Sequence, residues 1–354
     1  MTRTEKALKK LKAGTVIPAN PLALDKDGNF NERRQRAVVR YYLDSGVGGL
    51  AVAVHTTQFE IREPKHNLLE RVLRVAKEEA DKFEAAHGET VVMVSGVCGP
   101  TEQAVKEAEL AKSLGYDAVL LSPGGLNSYS EDYMVERTRA VAAVMPVIGF
   151  YLQTAVGGRA FSYNYWERVC DIDNVVAIKA APFNRYYSLD VVRAAALSRR
   201  ADDITLYTGN DDNIVLDLVT TYKFTVNGKT YEKGFIGGLL GHWSVWTKRA
   251  VELFEKLREY RGKDSLPREI LTLAAEVTDT NAVLFDTANG FAGCIAGLHE
   301  VLVRQGLFES TRCLNPDEKM SEGQKEEIDR LYKSYPHLND DEFVKANLDR
   351  WLAD

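Results

Sequence analysis

The chain has 354 residues, of which 45 % are hydrophobic and 27 % charged, with a formal net charge of −6. That length suits one large domain or two small ones, and the composition is ordinary for a globular enzyme. The acidic balance argues against a partner such as nucleic acid or an anionic membrane. No apolar run approaches the roughly 20 residues of a membrane span.

The first segment, Met1–Lys12, is basic, contains Glu5 and lacks an apolar core, so it is expected to be a short amphipathic helix and not a secretory leader. Strand-like and helix-like segments then alternate. The strands are expected at Thr15–Ala19, Gly49–Val54, Thr90–Ser95, Ala118–Ser122, Pro146–Tyr151, Val175–Lys179, Ile204–Thr208 and Gly234–Gly238. Helical periodicity fills the gaps, at Asn31–Ser45, His66–Ala85, Glu102–Leu114, Glu131–Val144, Tyr163–Cys170, Leu189–Ser198, Asp212–Tyr222 and Val245–Arg261. Eight such units in about 250 residues fit a (β/α)8 TIM barrel. An open doubly wound sheet is the alternative, but no Gly-rich dinucleotide loop follows the first strand.

One segment breaks the rhythm: Thr225–Thr230 reads as a small hairpin with Asn227-Gly228 at its tip. Beyond Arg261 the pattern is helical, at Ile270–Val277, Ala292–Gln305, Ser321–Tyr335 and Asp341–Leu352. The expected organisation is therefore a barrel over residues 1–262 and a C-terminal helical appendage over residues 263–354, packed on the barrel. Cys98, Cys170, Cys294 and Cys313 show no metal-ligand spacing, and there is no His-x-x-x-His pair. Reduced cytoplasmic thiols and no metal are expected.

Lys179 is the most informative residue. It ends the buried run Val175–Ile178 and precedes the small loop Ala180-Ala181-Pro182. At the C-terminal rim of a barrel, burial lowers a lysine pKa and frees a nucleophilic amine for a Schiff base. Taken alone, a strand-end lysine snorkelling to solvent is the commoner case.

The other strand ends converge on the same mouth. They bring His55-Thr56-Thr57-Gln58, Ser122-Pro123-Gly124-Gly125, Phe150-Tyr151-Leu152-Gln153, Thr208-Gly209-Asn210-Asp211-Asp212 and Gly237-Gly238. Thr56 and Thr57 would hold the carboxylate of a 2-oxo acid, and His55 beside them would meet the substrate and could act as an extra acid or base. Tyr151 would relay protons, and Gly209 and Gly237 would let the backbone approach a small ligand. Each feature has a plainer alternative, from strand filler to a buried aromatic or a turn glycine. Gly124, Gly125, Gln153, Phe183 and Trp243 are expected in the pocket wall.

This ordered set resembles the dihydrodipicolinate synthase / N-acetylneuraminate lyase family of class I Schiff-base aldolases, over roughly Lys12 to Leu307. Gly14–Pro21, Asp25–Asn29, His55–Gln58, Tyr151, Val176–Lys179 and Thr208–Asp212 carry the resemblance. It implies a Schiff base on Lys179, a catalytic Tyr151, no metal or organic cofactor, and a homo-oligomer, dimer or tetramer. The chain departs from the pattern at His55 and Gln58, which replace both glycines of a Gly-Thr-Thr-Gly motif. It departs again at Gly124-Gly125, at Tyr151–Thr154, and at Arg159, displaced by Gly157-Gly158. The implied activity is a lyase, aldolase or dehydratase acting on pyruvate or a related 2-oxo acid. The alternatives are a catalytically altered barrel that binds a small oxo acid as a sensor or structural protein, and an unrelated barrel oxidoreductase or isomerase.

Overall fold

The computed structural model describes residues 1–353. The short apolar runs form strands β1 (Val16–Pro18), β2 (Gly49–Val52), β3 (Val92–Val97), β4 (Ala118–Leu121), β5 (Val147–Leu152), β6 (Val175–Ala181) and β7 (Thr205–Thr208). A hairpin follows, β8 (Tyr222–Val226) and β9 (Lys229–Lys233), and then the last barrel strand, β10 (Phe235–Leu240). The eight-stranded sheet runs β1-β10-β7-β6-β5-β4-β3-β2, all pairs parallel. A bridge between Ala19 and Ala51 closes it, with the Asn20 N–H donating to the Ala51 carbonyl at 2.8 Å. The closed sheet has no free edge, which lets strands this short persist. The expected TIM barrel is the observed fold.

Alternation along each strand divides the apolar residues into two sets. Ile148, Phe150 and Leu152 of β5 share an interior cluster with Ala177 and Ala181 of β6 and Tyr207 of β7. Val147 and Tyr151 of β5 face the outer layer with Val175, Ile178 and Ala180 of β6. The outer set packs under the helices and makes the larger core.

The N-terminal helix, Arg3–Ala13, starts in a capping box between Thr2 and Glu5. It plugs one end of the barrel: Ala7 and Leu11 join the interior cluster, and the Tyr207 hydroxyl donates to the Leu11 carbonyl at 2.7 Å. Chemistry is thereby confined to the opposite, C-terminal end of the strands.

The segment expected as a helix over Asp212–Tyr222 is shorter, Ile214–Val219, because Tyr222 already begins β8. The hairpin turns on Asn227 and Gly228, both at positive φ (49° and 77°), as a two-residue hairpin of this twist requires.

The C-terminal helices lie against the barrel's own. Arg268–Leu284 packs on Ile214–Val219, and Asp341–Trp351 on Glu32–Ser45. Hydrogen bonds fix the second contact, Tyr41 Oη to Asp340 Oδ2 at 2.7 Å, which is buried, and Trp351 Nε1 to Asp44 Oδ2 at 2.6 Å, which is half-buried. The described residues contain no helix long and apolar enough to cross a membrane.

Candidate active site

A cavity of about 590 Å³, counting its mouth, opens at the C-terminal end of the barrel, and Lys179 lines it. Lys179 is only 9 % exposed. Its register partner is Phe150 of β5, and Nζ stands 4.5 Å from the centre of that ring. Among the described residues the amine makes no ion pair or hydrogen bond. Burial pushes its pKa down, and the charge of Asp211 partly offsets this.

Asp211 sits just past the end of β7, the strand beside β6, and lines the same cavity. Its carboxylate accepts the His242 N–H at 3.0 Å, and its carbonyl accepts Asn281 Nδ2 at 2.7 Å. Burial raises the Asp211 pKa against the pull of that N–H and of Lys179. One buried pocket thus holds an amine and a carboxyl whose pKa values are driven toward each other. A Cβ at Gly209 would collide with Lys179 Cε and press on Ala181 Cβ, so a side chain there would displace the lysine.

The turn after β2 is a single 3₁₀ turn, His55–Thr57. His55 and Thr56 line the cavity. Burial first, and the Lys179 charge second, push the His55 imidazole down to about 4, so it is neutral at physiological pH. Both threonine hydroxyls donate to backbone carbonyls after β1: Thr56 to Ala19 at 2.9 Å and Thr57 to Asn20 at 2.6 Å. Their protons are spent on bracing the turn. Gln58, at φ 69°, is held there by accepting the Leu314 N–H at 2.5 Å. The residue that replaces a motif glycine therefore ties the turn to the C-terminal region.

Of the residues expected in the site, Lys179, His55, Thr56 and Gly209 come together, with Gln153 and Phe183 in the wall. Thr57 is fully buried beneath the turn. Tyr151 requires a correction. Strand alternation turns it outward, where it packs on Trp166 and takes the Phe161 N–H at 3.1 Å. The inward position beside the amine belongs to Phe150. Gly237 also lies away from the cavity, because a Cβ there would run into the Tyr207 ring and the Thr15 carbonyl below it. Trp243 packs outside the barrel against Phe254 and Gly238. Gly124 and Gly125 line a neighbouring groove with Arg62 and Cys98.

The sequence puts Phe150 and Asp211 at strand ends facing the mouth without marking a role for either, and it gives no sign of three residues of the C-terminal region, Phe285, Phe291 and Cys294, that complete the wall. Burial pushes the Cys294 thiol well up, so it is a neutral group. Nothing local marks the C-terminal three.

The fold and the site together define a (β/α)8 barrel with a lone buried lysine at its C-terminal mouth. The chain matches the Dihydrodipicolinate synthetase family over residues 12–334, and it belongs to that family. It is 26 % identical over 194 residues to the 4-hydroxy-tetrahydrodipicolinate synthase of Clostridium novyi (strain NT), a match covering 54 % of this chain and 60 % of that one. It is 25 % identical over 182 residues to the N-acetylneuraminate lyase of Mediterraneibacter gnavus, covering 50 % and 54 %. The matched segments thus span less than two thirds of either relative. Among solved structures, YagE, a prophage protein of the dihydrodipicolinic acid synthase family from E. coli K12 in complex with pyruvate, superposes with a TM-score of 0.72 at 17 % identity. That likeness covers 93 % of this chain and 99 % of YagE, and it bears on the fold alone.

Proposed function

We propose that the chain is a class I lyase that forms a Schiff base between Lys179 and pyruvate or a related 2-oxo acid. The observation that carries this reading is the unpaired, buried Lys179 amine that shares one cavity with Asp211. Membership of the family supports it.

The neutral amine attacks the oxo carbon, and one N–H proton passes to the oxo oxygen, giving a carbinolamine. Protonation of that hydroxyl lets it leave as water and gives the iminium, which withdraws electrons from the adjacent carbon. A C–C bond is then broken or made, or a second water lost. With Phe150 in the inward place and Tyr151 outside, the group left to move these protons is Asp211. Its raised pKa suits a carboxyl that accepts and returns a proton near neutrality. His55, neutral beside the amine, is a second hydrogen-bonding group. The substrate carboxylate is received at the His55–Thr56 turn, through backbone N–H groups, because the threonine hydroxyl protons are already donated.

The absent inward tyrosine also favours a second reading, a barrel that binds a 2-oxo acid without turning it over. Borohydride trapping with pyruvate, read by intact mass and peptide mapping, separates the two. A stable adduct on Lys179, absent from Lys179→Ala, supports the lyase. Binding of pyruvate by calorimetry with no trapped adduct supports the binding barrel.

A further inference from the structure

Two bulky residues in the cavity wall, Phe183 and Phe291, have left-handed backbones, with φ of 51° and 71°. A phenylalanine in this region is a true outlier, and such strain persists only where the surroundings impose it. Here they do. The Phe183 N–H donates to Asn210 Oδ1 at 3.2 Å, and the Phe291 N–H donates to the Asp286 carbonyl at 2.9 Å. Asp286 is itself at φ 54°. The two segments, one following β6 and one from the C-terminal region, bring the rings together, with centroids 6.0 Å apart at 59°. Phe285 joins them in the wall.

Away from Lys179, Asp211 and the His55 turn, the rest of the wall is mostly apolar, with Leu120, Leu152, Val156 and Ala181 among its residues, and its polar side chains are those of Gln153 and Cys294. A polyhydroxylated chain placed there would leave its hydroxyls mostly unpaired, at a cost for each one desolvated. An aryl or alkyl group would find ring faces and edges.

We propose that Phe183, Phe285 and Phe291 form a compartment for an apolar, aryl-type group on the substrate, so that the carbonyl compound processed here is a hydrophobic 2-oxo acid or its aldehyde fragment and not a sugar acid. The proposal rests on the lyase reading, whose own test is the trapping of pyruvate.

The compartment is tested without the imine. Calorimetry on the full-length Lys179→Ala protein compares benzylpyruvate with the polyhydroxylated 2-keto-3-deoxygluconate. Benzylpyruvate is expected to bind roughly 10–100-fold more tightly, the usual worth of a fitting apolar group. In the Lys179→Ala background, Phe183→Gly and Phe291→Gly are each expected to cut that ratio to below about threefold. Glycine takes the same positive φ without strain, which keeps these variants folded. Equal or tighter binding of the polyol, no binding of benzylpyruvate, or a ratio untouched by both glycine variants overturns the compartment. If pyruvate traps on Lys179 and the ratio fails, the lyase reading survives alone. If trapping fails and the ratio holds, the compartment belongs to a binding protein.

Discussion

Phe150 and Lys179 are register partners across β5 and β6, and both point into the barrel, the amine 4.5 Å from the ring centre. Tyr151, one residue on, pairs with Ala180 and faces the helices. A single step along a strand therefore decides whether a phenol or a plain ring stands beside the amine. Tyr151→Phe is expected to change the rate of pyruvate trapping by less than about twofold while costing about 1 kcal/mol of stability, through the lost hydrogen bond to the Phe161 N–H. Phe150→Tyr places a hydroxyl next to Lys179 and is expected to speed trapping. Time-resolved mass spectrometry reads the first effect, and denaturant unfolding reads the second.

Asp211→Asn keeps an acceptor for the His242 N–H but removes the proton carrier. Imine formation is expected to slow by about 10²–10⁴-fold, the usual worth of a positioned acid-base group. Pyruvate affinity, measured separately by calorimetry, should fall far less. A trapping rate within threefold of the parent would assign proton transfer to His55 or to water.

The amine is reactive only when neutral. Burial lowers the Lys179 pKa, with Asp211 opposing, so the neutral fraction grows with pH and saturates early. Trapping rates are expected to rise through neutral pH and level off well below the ordinary lysine value of 10.5. In Gly209→Ala, whose new methyl collides with Lys179 Cε, the profile should be displaced and the rate reduced at every pH.

Far from the site, Glu79 is an acid-sensitive point of the fold. Its carboxylate takes Arg40 Nε at 2.7 Å, Lys82 Nζ at 2.8 Å and Arg36 Nη1 at 2.9 Å. Burial opposes its charge, but these hydrogen bonds win and hold the pKa at about 2, against an ordinary 4.5. The stabilisation is complete above the unfolded value and is lost as pH falls from 4.5 toward 2. Glu79→Gln is expected to cost about 2 kcal/mol at pH 7 and to flatten the stability profile in the acid range. Denaturant midpoints across that range check both.

The barrel was legible because it depends on local signals. Eight buried apolar runs alternate with helical periodicity, Asn227-Gly228 marks its hairpin, and Lys179 stands at a strand end next to small residues. Those features also placed His55, Thr56 and Gly209 at one mouth, since parallel strands bring their C-terminal ends together.

What the chain alone left open was orientation and long-range closure. The facing of Tyr151 against Phe150 depends on register with β6, where a slip between Val147 and Ile148 shifts the pairing. The hydroxyls of Thr56 and Thr57 look free in the sequence, yet they are spent on carbonyls 37 residues away. Phe285, Phe291 and Cys294 reach the cavity only because the C-terminal helices fold back over the mouth, held by contacts such as Gln58 with Leu314, 256 residues apart. Periodicity records which face of an element is apolar. Which apolar face meets which, and which polar group is already satisfied, is decided only when distant segments pack.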